Sequence, residues 1–302
     1  MPETNNLPAT EAVDLRMRDL DRWPTLTAVH ALWEGQMAAA AAVRPALPAI
    51  AAAAEDAACR LRGAGRLIYC GAGTSGRLGV LDGSELPPTF DWPVERLHHL
   101  LAGGAQALTR AVENAEDRAD LAEADVAAAR VSGEDVVIAV AASGATPYAV
   151  ACAGLARARG ALTIGIANSP GAPLFGCCDH AILVETGAEP IAGSTRLKAG
   201  TAQKIVLNLL STTIMLRLGR VWCGQMVDMV ARNEKLRRRA LRMVRTLTGA
   251  TEAAAQAALT EAGGKTKLAI LLLHGMDMVT ASSQLAAHQG QLGAILDGEG
   301  VA

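Results

Sequence analysis

Arg66-Leu67-Ile68-Tyr69-Cys70, followed at once by Gly71-Ala72-Gly73-Thr74-Ser75-Gly76-Arg77, is the stretch whose reading decides the fold. The first five residues form a short apolar run between glycines, as a buried strand requires, and Arg77 to Leu86 can be helical. The order is therefore strand, loop, helix. In such a loop the exposed amides and the dipole of the following helix both favour a phosphate dianion. No Gly-Lys-Ser/Thr closes the loop as in a Walker A sequence, and no clear ribose-binding acid follows the next strand as in a dinucleotide site. Taken alone, the glycines fit a tight turn as well as a phosphate cradle.

The same order recurs downstream. The run Asp135 to Val140 leads into Ala141-Ala142-Ser143-Gly144-Ala145-Thr146, and a helix starts at Pro147 and reaches about Arg159. Two more apolar runs, Leu162 to Ala167 and His180 to Val184, lie on either side of Asn168-Ser169-Pro170-Gly171. Continuous apolar strands alternating with helices predict a parallel sheet covered on both faces. The expected fold is α/β and doubly wound, with both hydroxyl-rich loops at the carboxyl edge of the sheet. Ahead of it, alanine-rich Leu26 to Arg62 predicts a long helix or a helix pair. Behind it, Ser194 to Leu218 and Val227 to Thr246 have helical periodicity, and the tail after Gly249, with Gly263-Gly264 and Gly290, suits three short helices. The expected divisions are an N-terminal helical segment (1–56), a sugar-phosphate-binding domain (57–220), a connecting helix (221–248) and a small helical module (249–302).

Composition narrows the function. The 302 residues are 51% hydrophobic, enough for a full-sized core. With a net charge of −2 and 3% aromatic residues, the chain has neither the basic footprint nor the stacking platforms of a nucleic-acid binder; Arg237-Arg238-Arg239 reads as a solvated helix face. The first thirty residues carry polar and acidic groups and Pro2, Pro8 and Pro24, unlike a secretory signal, and the apolar run Ile205 to Leu216 is too short for a bilayer. A soluble cytoplasmic protein without membrane contact is expected. The six cysteines (59, 70, 152, 177, 178, 223) have no C-x-x-C spacing and no His, Cys or carboxylate cluster has metal-ligand spacing, so reduced thiols and no metal are expected.

The two loops resemble those of the sugar isomerase (SIS) domain family, which holds sugar phosphates with loop serines and threonines. That match implies phosphate contacts for Ser75, Ser143 and Thr146, with Thr74, Gly76 and Gly144 close by. Four further segments narrow the resemblance: Leu78 to Phe90 (LGVLDGSELPPTF), Ala102-Gly103-Gly104, Ala111 to Asp117 (AVENAED), and Gly193 to Lys204 (GSTRLKAGTAQK). Together they are similar to the N-acetylmuramic acid 6-phosphate etherase family, from about Leu20 through the tail. The departures are few: Leu86 stands where the family commonly has cysteine, Ala145 where a larger polar residue is usual, and Cys223-Gly224-Gln225 replaces Tyr-Gly-Asn.

The resemblance implies a metal-free, cofactor-free lyase that removes D-lactate from a phosphorylated amino sugar, working as a homodimer. It gives Glu85 the acid that assists lactate departure and Glu116 the second acid/base role, with Glu113, three residues away, as the competitor. Without the family match, Glu85 before Pro87-Pro88 reads as a solvated helix end and Glu116 as part of an exposed charged face. Ser194 and Thr195 can cap the next helix and offer N–H and hydroxyl groups to an anion, while Lys198, and less so Lys204, can counter a phosphate. The competing functions are an aldose-ketose sugar-phosphate isomerase and a sugar-phosphate-sensing regulator.

Overall fold

The structure is a computed structural model describing residues 9–229 and 234–298. Parts of the predicted N-terminal segment (1–8), connecting helix (230–233) and tail (299–302) lie outside the described residues. The chain divides into two compact units, one from Met1–Gly83 with Glu95–Ser211, the other from Ser84–Val94 with Thr212–Ala302.

The first unit opens with α1 (Thr25–Ala42) and α2 (Leu47–Leu61), a helix pair broken by a 3-10 turn at Arg44–Ala46 that contains Pro45. By length and mean hydropathy (1.5) the stretch Thr25–Leu61 could cross a membrane. Yet α2 buries Ile50, Ala53, Ala54, Ala57, Ala58 and Leu61 and packs on the sheet, as a core helix does. Then follow β1 (Leu67–Gly71), α3 (Gly73–Ser84), α4 (Leu86–Phe90, in the second unit), β2 (Leu97–Leu101), α5 (Ala119–Ala128), β3 (Val136–Val140), α6 (Pro147–Ala158), β4 (Leu162–Ala167), α7 (Pro173–Gly176), β5 (His180–Leu183) and α8 (Lys198–Arg217). All five strands are parallel in the order β2-β1-β3-β4-β5, the flavodoxin-like doubly wound arrangement. Strand β2 adds to the four expected from sequence.

The central strands β1, β3 and β4 are buried at every residue, which is why they read as unbroken apolar runs. Because β1 lies between β2 and β3, the connections leaving β1 and β3 diverge at the switch point of the sheet. A crevice at the carboxyl ends of the strands is the expected result there. The β1–α3 connection is very tight. A Cβ on Gly76 would stand 2.7 Å from the Gly71 carbonyl oxygen, so helix and strand come together only as glycines. The helix therefore starts at Gly73 and takes in Thr74 and Ser75, rather than starting at Arg77.

Along the same face of α3, Gly79 and Gly83 let it rest on the ring of Tyr69. The Tyr69 hydroxyl donates to Asp82 Oδ2 at 2.9 Å, and burial pushes its pKa well above the ordinary value. Asp82 Oδ1 accepts from Asn208 Nδ2 at 3.0 Å and pairs with Lys204 Nζ at 3.5 Å. Lys204 thus balances a buried carboxylate.

In the second unit, a turn at Trp222–Gln225 carries positive φ at Cys223 (46°) and Gly224 (70°), which an α-helix cannot contain. Residues 227–229 are not helical, and of the helix expected from Val227 the described part is α9 at Glu234–Thr248. Among the described residues four helices follow, not three: α10 (Glu252–Glu261), α11 (Thr266–Leu273), α12 (Met278–Ala287) and the short α13 (Leu292–Leu296). Thr251 and Asp277 cap α10 and α12 through Ala254 N–H and Thr280 N–H. Arg220 fixes the Ser84–Val94 segment in this unit, donating to the Phe90 and Asp91 carbonyls at 2.8 and 2.9 Å and lying 5.5 Å from the Trp92 ring.

Candidate functional site

The first unit holds a cavity of about 370 Å³, within the roughly 300–1,000 Å³ typical of small-molecule sites. Three loops and two 3-10 turns build it. The β1–α3 connection supplies Ala72, Gly73, Thr74 and Ser75, and the β3–α6 connection supplies Ala142, Ser143, Ala145, Thr146 and Pro147. Gly193 and Thr195 come from the segment before α8, Glu116 and Asp117 from a 3-10 turn at Ala115–Asp117, and Glu11 from a 3-10 turn at Ala9–Glu11.

Of the residues expected at the site, Thr74, Ser75, Ser143, Thr146, Thr195 and Glu116 line this cavity. The α3 terminus presents first-turn amides that have no partner within the helix, beside the nearly buried Ser75 hydroxyl. In the second loop Ser143 Oγ accepts the Ala145 N–H at 3.2 Å, which leaves the hydroxyl hydrogen to donate. Gly144 has φ +67° and a Cβ there would lie 2.3 Å from Ala172 Cβ, so only glycine makes this turn. Gly76 and Gly144 shape the loops from behind and do not line the cavity.

Glu116 and Glu113 are not on one helix face. Asn114, with φ +59°, separates Glu113 from the turn that carries Glu116, and the cavity lining includes Glu116 and Asp117 but not Glu113. Glu85 is exposed at the N-cap of α4 in the second unit, where its side chain makes no capping hydrogen bond.

The segment before α8 departs most from expectation. The Ser194 and Thr195 N–H groups bond the carbonyls of Ile191 and Gly193 within the loop (both 2.9 Å), and the side chains of these two residues do not cap the helix. The cap is Glu189, which is fully buried. Its Oε2 accepts from Lys198 N–H at 2.8 Å and its Oε1 from Ala199 N–H at 2.9 Å. The Lys198 ammonium donates to the Ala188 carbonyl at 2.9 Å, and neither it nor Ser194 lines the cavity. Helix α8 still borders the site, since a Cβ on Gly200 would lie 3.4 Å from Thr74 Cγ2.

Sequence reasoning missed Glu11, Asp117 and Glu189. None of these carboxylates is set apart by its local sequence, and only the fold shows what each touches. Among the described residues, no three His, Cys, Asp or Glu side chains are grouped as a metal would need.

The chain resembles known proteins over nearly its full length. Residues 49–158 match the glucokinase regulatory protein N-terminal SIS domain and residues 107–213 match the SIS domain. An N-acetylmuramic acid 6-phosphate etherase of Deinococcus radiodurans is 50% identical over 294 residues, 97% of this chain and 96% of that one. Etherases of the same name from Streptomyces avermitilis (46% identical; 95% of this chain, 93% of that one) and Cronobacter sakazakii (48%; 92% and 94%) are similar to it. Among solved structures, a phosphoheptose isomerase from Francisella tularensis shares the fold, with a TM-score of 0.50 at 21% identity, over 64% of this chain and 100% of that one.

Proposed function

The chain belongs to the N-acetylmuramic acid 6-phosphate etherase family, and from that premise we infer that it cleaves the D-lactyl ether at C3 of N-acetylmuramic acid 6-phosphate. The products are N-acetylglucosamine 6-phosphate and D-lactate, and the role is recycling of cell-wall sugar. One observation carries the ligand class: the cavity has two chemically different sets of groups. Hydroxyls of Thr74, Ser75, Ser143, Thr146 and Thr195, with the α3 amides, can donate to a phosphate, whereas Glu11, Glu116 and Asp117 are acceptors when ionised. Among the described residues, no Lys, Arg or His is in the lining. A phosphate ester of a polyhydroxylated amino sugar has the complementary pair of chemistries, a dianion at one end and O–H and N–H donors at the other.

The reaction needs only acid/base groups. In the ring-opened sugar the C2 hydrogen is acidified by the C1 aldehyde. A carboxylate removes it, the electron pair forms C2=C3, and the lactate oxygen leaves C3 taking a proton from a carboxylic acid. Water then adds its hydroxyl to C3 and a proton to C2. We assign lactate departure and water activation to Glu85, and the second acid/base role to Glu116. Placement of Glu116 in the cavity lining supports its assignment, and the Leu78 to Phe90 match supports that of Glu85. Proton transfer of this kind contributes roughly 10²–10⁴-fold to rate. We further propose a homodimer, as the SIS resemblance implies, located in the cytoplasm, as the sequence composition leads us to expect.

Isotopes test the mechanism. Turnover in deuterium oxide should place deuterium at C2 of the product sugar, and turnover in ¹⁸O-water should label its C3 hydroxyl. Retention of the C2 proton, with ¹⁸O in the lactate, would rule the elimination out.

A further inference from the structure

Glu11 is a carboxylate in the cavity lining that the reaction above does not use. It lies more than sixty positions before the first phosphate loop, and the fold brings it back to the site. The Gly193 N–H donates to the Thr10 carbonyl at 3.2 Å, and Thr10 is fully buried. Glu11 Oε2 stands 2.9 Å from where a Cβ of Gly193 would be, and Gly193 has φ +73°, so this contact requires glycine at 193. The N-terminal turn is thus strapped onto the loop that carries Thr195, with Glu11 at its cavity side.

Glu11 is exposed, and among the described residues no hydrogen bond or ion pair holds its carboxylate, which stays available on the cavity side. Its oxygens are acceptors without donors among the described residues, and the same cavity is lined by hydroxyls suited to phosphate. We propose that Glu11 is a substrate-binding residue, accepting hydrogen bonds from the hydroxyl or acetamido groups of the sugar while the loops hold the phosphate. The assignment rests on the sugar-phosphate reading of the cavity, and it makes Glu11 a determinant of sugar recognition distinct from the phosphate loops.

Calorimetric binding separates the two parts of the ligand and does not depend on turnover. For Glu11→Ala in the full chain, affinity for N-acetylglucosamine 6-phosphate should fall about tenfold, as expected for loss of a charged hydrogen-bond acceptor. Affinity for inorganic phosphate should be unchanged. Glu11→Gln, which keeps one acceptor oxygen, should fall between wild type and alanine. In assays the alanine variant should raise KM and keep kcat, the pattern of uniform binding. Equal weakening of sugar phosphate and inorganic phosphate would show that Glu11 only braces the pocket, and unchanged sugar-phosphate binding would remove it from the site; either overturns the proposal. Failure of the wild type to release D-lactate would instead count against the etherase reading, leaving the binding comparison intact.

Discussion

Two short sequences in the first unit look interchangeable and are used in opposite ways. Gly73-Thr74-Ser75-Gly76 begins α3, and Gly193-Ser194-Thr195-Arg196 leads into α8; each offers a glycine and two hydroxyls near a helix N-terminus. At α3 the terminus borders the cavity and its hydroxyls line it. At α8 the terminus is already filled, because buried Glu189 accepts from the first two helical N–H groups. Helix-terminus electrostatics is the same in both cases. What differs is whether the chain supplies its own anion first, and that choice leaves the α3 terminus facing the cavity and turns α8 into an anchor for the loop bearing Thr195.

The contrast can be broken by substitution. The largest effect is expected at the acid/base group in the shared cavity: Glu116→Gln should lower kcat for D-lactate release by roughly 10²–10⁴-fold, while the same change at Glu113 should leave kcat near wild type. Next come the open terminus and its companion loop. Ser75→Ala and Ser143→Ala each remove one donor to a charged phosphate and should weaken inorganic phosphate about tenfold by calorimetry. Glu189→Ala should act on stability, since the buried Ala199 N–H and the part-buried Lys198 N–H lose their acceptor; a loss of about 1–3 kcal/mol for the buried group is expected in urea denaturation. Tighter phosphate binding by that variant at unchanged stability would mean that α8 is a second ligand site held shut. Smallest of all, Ser194→Ala should leave phosphate affinity at the wild-type value, as its hydroxyl is not in the cavity lining.

The parts of the fold that were legible are those where burial writes an unbroken pattern. Strands β1, β3 and β4 are buried on both faces and announce themselves as apolar runs, and with them the two loops at their carboxyl ends. Strand β2 was not legible. It is an edge strand, Leu97-His98-His99-Leu100-Leu101, with His98 exposed, and a histidine pair interrupts the apolar pattern. The start of α3 was hidden by its glycines, which disfavour helix locally but are required by the approach to β1 and Tyr69. In the site, hydroxyls clustered within a few residues could be found by eye. Glu11 and Glu189 could not, because each acts through contacts made far along the chain: Glu11 with Gly193, and Glu189 with a helix nine residues on whose cap two nearer hydroxyls seemed to provide.

We propose that the ether is broken beside the α3 terminus and the carboxylates near it. Purified full-length protein incubated with N-acetylmuramic acid 6-phosphate should release D-lactate and N-acetylglucosamine 6-phosphate in equal amounts, at a rate that collapses in Glu116→Gln. A folded protein that binds the sugar phosphate but releases no D-lactate would contradict the account.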